Sequence, residues 1–181
     1  TIRWRWRTIW PRLWSLSPRR INPRLHLLIS AAMLLMNGKE FVDTNILLYA
    51  RDGGQPTKQP VAHAWMASLW RSRQGRLSFQ VLQEFYVNAT QKLKPDFPTE
   101  LARQDVRSLL AWRPIKTDAA LIEAAWKLAD HYGFSWWDAQ IVAAAQRANC
   151  QILLTEDMQD RMEVGNLNLI NPFAAGAPEP Q

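Results

Sequence analysis

Cysteine occurs once, at Cys150, so the chain can build neither an internal disulfide framework nor a Cys-rich zinc module. Cys150 stands just before an apolar run and reads as a small core residue. Histidine is also scarce. His63 and His131 have no partner at metal-ligand spacing such as H-E-x-x-H, so they read as surface or packing residues. Neither G-x-G-x-x-G nor a P-loop occurs, so a bound nucleotide cofactor has no support. Ser135 lies in no nucleophile-elbow context. No apolar run reaches the roughly 18 residues of a spanning helix, so no membrane role and a cytoplasmic location are expected.

What is present suits one domain with an appendage. Of 181 residues, 48% are hydrophobic and 21% charged, which allows a packed core. The net charge of +6 misleads. Residues 1–35 hold seven arginines and no acid; the remaining 15 Lys and Arg face 16 Asp and Glu, a net of −1. The basic character belongs to the first segment, so a whole-chain argument for nucleic-acid binding fails.

That segment alternates Arg with Trp4, Trp6, Trp10 and Trp14, turns proline-rich at Pro11, Pro18 and Pro23, and ends apolar. Frequent proline breaks any long helix. Four readings compete: a nucleic-acid-binding arm, a membrane-surface segment, a signal peptide, and upstream sequence foreign to the native protein. Against the signal peptide stand a long, proline-broken basic front and no small-x-small site before Asn37. The expectation is that residues 1–35 are disordered or not native. The domain then starts at Met36, spans 36–175, and is followed by a frayed tail over 176–181.

The body alternates strands and helices. Residues 40–43 form an apolar strand running directly into a helix over 44–50, because Asp, Thr and Asn cap helices well. Helices are expected over 58–73, 79–93, 99–111, 118–131 and 135–148, with a break and a short strand near 75–78. Further strands are expected at 152–155 and 167–170, and a weak one at 112–115. Strands separated by helices pair in parallel through right-handed crossovers. The fold class is therefore α/β: a small, mostly parallel sheet of about four to five strands flanked by helices.

Four acids occupy marked positions. Asp43 closes the first strand and Asp157 follows the strand 152–155; both fall at the carboxyl edge of a parallel sheet, where ligands bind. Each is equally readable as a cap or turn residue. Asp138 heads the apolar stripe Ile141, Val142, Ala145 and Ala148, which aims it at an interior or a cleft, where an unpaired charge is expensive. A capping box with Ser135 explains it as well. Glu84 lies opposite the stripe around Leu82 and Tyr86, so periodicity alone makes it a solvated carboxylate.

In order, the motifs are Phe41-Val42-Asp43-Thr44-Asn45, Gln83-Glu84-Phe85-Tyr86, Ser135-Trp136-Trp137-Asp138-Ala139, Leu154-Thr155-Glu156-Asp157 and Asn171-Pro172-Phe173. The ordered set resembles the PIN-domain family, most closely the VapC-type toxins of bacterial toxin–antitoxin pairs. The resemblance covers 40–173 and leaves 1–35 outside. It implies a three-layer α/β/α ribonuclease with Asp43, Glu84, Asp138 and Asp157 as catalytic, metal-binding acids, supported by Asn45 and Thr155. It thereby reverses the solvated reading of Glu84. Glu156 and Asp160 are nearby acids that compete for the role given to Asp157.

Crowded carboxylates repel unless cations neutralise them, and oxygen ligands suit Mg²⁺ or Mn²⁺ over zinc. The activity implied is a metal-dependent endoribonuclease hydrolysing RNA phosphodiesters with a metal-activated water. The partners implied are an RNA substrate, a small antitoxin and a second copy in a homodimer. The alternative is a non-catalytic module that keeps the fold and binds RNA or a partner. Candidate cations for holding substrate are Arg51, Lys58, Arg71, Arg73, Arg76, Lys92 and Lys94.

Overall fold

The computed structural model describes residues 38–93 and 97–180; the expectations for 1–35 and for Lys94 fall outside these. Five strands form one sheet in the order β2-β1-β3-β5-β4. They are β1 (Lys39–Val42), β2 (Gly75–Arg76), β3 (Cys150–Leu154), β4 (Glu163–Val164) and β5 (Leu167–Ile170). β1 pairs in parallel with β2 and β3, and β3 pairs in parallel with β5. Parallel strands are covered on both faces, and Phe41, Val42, Leu153, Leu154 and Leu169 are accordingly fully buried.

Among the described residues six helices surround the sheet: α1 (Thr44–Tyr49), α2 (Lys58–Ser72), α3 (Phe79–Gln91), α4 (Thr99–Leu109), α5 (Ala119–Tyr132) and α6 (Trp136–Arg147). The sequence marks where each begins. Asp43 caps α1 by accepting from the Thr44 amide. Ser78 accepts from Val81 N at the head of α3, and Asp118 from Leu121 N at the head of α5. Each satisfies an amide that has no partner within its helix. α5 stops at Gly133, whose φ of 72° suits glycine, and the chain turns at once into α6. Arg51, just past α1, grips Asp105 of α4 through both carboxylate oxygens.

Two local expectations fail. The weak strand at 112–115 is instead a 3-10 turn over Leu110–Trp112, followed by a single bridge from Ile115 to Ser78. Arg113 takes a left-handed φ of 55° and Pro114 has no amide to donate, so no ladder can run through them. β4 was not expected at all. It folds back antiparallel on β5 through a turn at Gly165, φ 64°, and a two-residue strand carries no legible period.

Candidate active site

Asp43 is the last residue before α1 and sits at the carboxyl end of β1. Thr155 sits at the corresponding end of β3, hydrogen-bonded beside it. Thr155 Oγ1 donates to Asp43 Oδ2 at 2.7 Å, and the Thr44 amide donates to Asp43 Oδ1 at 2.6 Å. Asn45, on the first turn of α1, donates its Nδ2 to both Asp43 Oδ2 (3.3 Å) and Asp157 Oδ2 (3.1 Å). Facing two carboxylates fixes which way the amide points. One side chain thus gathers the first and last acids of the motif set. Asp157 N donates in turn to Thr155 Oγ1 at 3.3 Å.

The other two acids come from helices. Glu84 lies in α3, with Thr44 Oγ1 donating to its Oε2 at 2.8 Å and Gln80 Nε2 to its Oε1 at 2.9 Å. Gln80 Nε2 also reaches the carbonyl of Trp137 at 3.3 Å, which ties α3 to the first turn of α6. On that turn, Ser135 Oγ donates to Asp138 Oδ2 at 2.7 Å and accepts from the Asp138 amide at 3.2 Å. Ser135 therefore caps α6 and at the same time orients the carboxylate of Asp138, a cleft residue.

All four acids and Asn45 line one open cleft of roughly 390 Å³. Its apolar lining is Leu48, Leu93, Trp137 and Ile141, and Lys92 contributes a cation. Glu84 and Asn88 of α3, and Lys92 at its C-cap, reach it at successive i,i+4 steps. The solvated reading of Glu84 fails for that reason: the face of α3 opposite its own stripe looks across the cleft at α1 and α6.

Burial dominates the electrostatics. Asp43 is 4% exposed, and desolvation pushes its carboxyl up to about 7. The hydrogen bonds from Thr155 and Thr44 oppose that rise, and the charges of Asp157 and Glu84 add to it. The competing acids are occupied elsewhere. Glu156 pairs with Lys58, whose ammonium lies 4.4 Å from the centre of the Tyr49 ring. Asp160 accepts from the Asn171 amide at 2.8 Å. Of the six candidate cations among the described residues, Lys92 is the one lining the cleft; Arg51 and Lys58 are held in ion pairs.

The residues present fit a hard divalent cation. The acids and Asn45 offer oxygen donors without sulfur or nitrogen ligands. Asn45 Oδ1 is buried and has no hydrogen-bond partner, an acceptor that a cation would satisfy. As they stand, no three acid, His or Cys side chains among the described residues enclose an ion. Glu84 is turned to Thr44 and Gln80, and Asp138 to Ser135.

Sequence reasoning missed Thr44, Gln80 and Trp137. Gln80 had a signal, the i,i+4 spacing to Glu84 that lets an amide reach a carboxylate on one helix face. Thr44 follows Asp43 directly, where the sequence marks a helix cap and nothing more.

No curated protein matches the chain. Among solved structures, VapC20 of Mycobacterium tuberculosis, a Sarcin-Ricin loop cleaving toxin, aligns with a TM-score of 0.52 at 22% identity. The alignment covers 66% of this chain and 90% of that one. The family model of the PIN domain matches residues 41–162, from the strand that carries Asp43 to beyond Asp157. With that match over more than half its length and the fold to accompany it, the chain belongs to the PIN domain family.

Proposed function

We propose that the chain is a metal-dependent endoribonuclease of the VapC toxin type, cutting single-stranded or loop RNA. The observation that carries this is the cleft itself. Four elements distant in sequence each deliver one carboxylate to it, and among the described residues none of the four acids is consumed by an ion pair with Lys or Arg. A stability role does not account for four acids facing one opening.

Asp43, Glu84, Asp138 and Asp157 are the ligands of Mg²⁺ or Mn²⁺ in this reading. Bound there, the ion supplies charge neutralisation for the phosphodiester and acidifies water. The chain's own groups prepare the site. Asn45 holds Asp43 and Asp157 together; Thr155 fixes Asp43; Thr44 and Gln80 orient Glu84; Ser135 orients Asp138. Each orienting group spares its acid a search among rotamers when the substrate arrives. The partners are RNA, a small antitoxin whose segment enters the cleft, and a second copy in a homodimer. The likeness of fold to VapC20, a toxin that cleaves the Sarcin-Ricin loop, supports RNA as the substrate.

The test is cleavage of mixed structured RNAs with Mg²⁺, Mn²⁺ or EDTA, beside Asp43→Asn. Metal-dependent cutting by the parent and none by the variant is expected. The variant should keep the parent's circular dichroism and should melt no lower above neutral pH, because the ionised Asp43 opposes folding. An active Asp43→Asn rules out the site. An inert parent, with total cellular RNA also left intact, puts the non-catalytic binding module in place of the nuclease.

A further inference from the structure

We propose that Trp137 is a substrate-binding residue: its indole is a stacking platform for one unpaired nucleobase of the RNA strand that enters the cleft. The inference rests on the nuclease reading and deepens it, because it names the substrate contact that the acids cannot make.

Trp137 is 61% exposed, the most exposed large apolar side chain among the described residues. Its neighbour in sequence shows what α6 does with a tryptophan that belongs to the core side. Trp136 is partly buried and packs on Trp126, with ring centres 6.1 Å apart. One helical step of about 100° carries Trp137 away from that packing and into the cleft lining, next to Asp138 and one turn before Ile141. A single exposed indole needs no explanation by itself; what sets Trp137 apart from the other exposed apolar side chains is that it lines the cleft of the four acids.

Its position is also set by a polar tether. Gln80 donates from a single nitrogen to Glu84 and to the Trp137 carbonyl. The backbone that carries the indole is thereby registered to one of the acids. The remaining lining fits a nucleotide. Leu48, Leu93 and Ile141 give an apolar wall suited to a base, and Lys92, exposed on the rim, gives a cation suited to a phosphate. An acidic cleft repels the RNA backbone, so affinity must come from elsewhere. Base–aromatic stacking supplies it without regard to base identity. It also explains why unpaired RNA is the substrate, since a base in a duplex offers no free face.

The experiment measures binding of the full chain to a short fluorescein-labelled RNA of mixed sequence by anisotropy, in EDTA to prevent cutting. The same RNA annealed to its complement serves as comparison. Trp137→Leu keeps an apolar side chain and removes the ring face; it should weaken single-strand binding about ten-fold, as loss of one stacked base does. Trp137→Phe should retain most of the affinity, and duplex binding should not change. Trp126→Leu, an exposed tryptophan outside the cleft lining, should match the parent.

Equal single-strand affinity in Trp137→Leu and the parent overturns the inference. So does an equal loss in Trp126→Leu, which would mark general stickiness. A Trp137→Leu variant that binds RNA like the parent but changes oligomeric state on sedimentation assigns the indole to a protein contact, and again overturns it. If the parent cuts RNA while the variants bind alike, the stacking platform alone fails. If the parent neither binds nor cuts RNA, the nuclease reading fails and takes the platform with it.

Discussion

Glu40 shows how one side chain can oppose the fold it belongs to. It stands on β1, with Oε2 buried and lacking a hydrogen-bond partner, and desolvation pushes its carboxyl up to about 7. The Cys150 thiol on β3 feels the charges of Arg76 on β2, Lys39 and Glu40; Arg76 spends a guanidinium nitrogen on the Arg73 and Gly75 carbonyls, and Lys39 donates to Ala148 O. A carboxyl whose folded value lies above its unfolded value favours the fold when protonated. That favour is complete below about 4.5 and is lost as pH rises to about 7. Glu40→Gln should therefore raise the melting temperature near about pH 8 and leave it unchanged near about pH 4, a difference that calorimetry at the two values reads directly. A variant that gains nothing at the higher pH would show the buried carboxylate to be solvated after all. At this scale Asp43 was legible in sequence, because an acid at the end of a strand is at the edge where ligands bind. Glu84 was not. A helical wheel tells which face avoids the helix's own apolar stripe, but not what stands across from that face.

Ser135 and Asp138 belong to the scale of the element. Their reciprocal hydrogen bonds start α6 and at the same time aim a cleft acid. Ser135→Ala should cost about 1 kcal/mol, as loss of a helix cap does, seen as a lower urea midpoint with an unchanged slope. RNA cleavage should fall further than the stability loss accounts for, because Asp138 loses its orienting donor. Unchanged cleavage would confine Ser135 to capping. The helices were legible because caps and stops bracket them: Asp43, Ser78, Asp118 and Ser135 at the starts, and Gly133 at the end of α5. The failures share a cause. Residues 112–115 and 163–164 are too short to show a period, and their geometry follows from neighbours: Pro114 on one side, β5 on the other.

Across the whole molecule, β3 is the keystone. It pairs with β1 on one side and β5 on the other, and Leu153 is fully buried between the layers. Leu153→Ala should cost about 2–5 kcal/mol. Because the sheet and the flanking helices share this one core, fluorescence and circular dichroism should lose their signals together along a urea gradient. Separated transitions would mean that the layers unfold independently. The alternation of strands and helices made the parallel sheet legible, and the membership of β1 and β3 at its centre follows from their wholly apolar ends. The strand order itself was not legible, since no local pattern states which parallel strands become neighbours.

The bond from Thr155 to Asp43 joins residues 112 positions apart. During synthesis this means that the first acid emerges from the ribosome long before its partners exist. A nascent chain that has exposed Asp43, Glu84 and even Asp138 still lacks β3, and with it Thr155 and Asp157. The proposed ribonuclease is therefore assembled only once β3 and Asp157 have emerged, and a chain released before them leaves the translating machinery beside it an inert fragment rather than an enzyme.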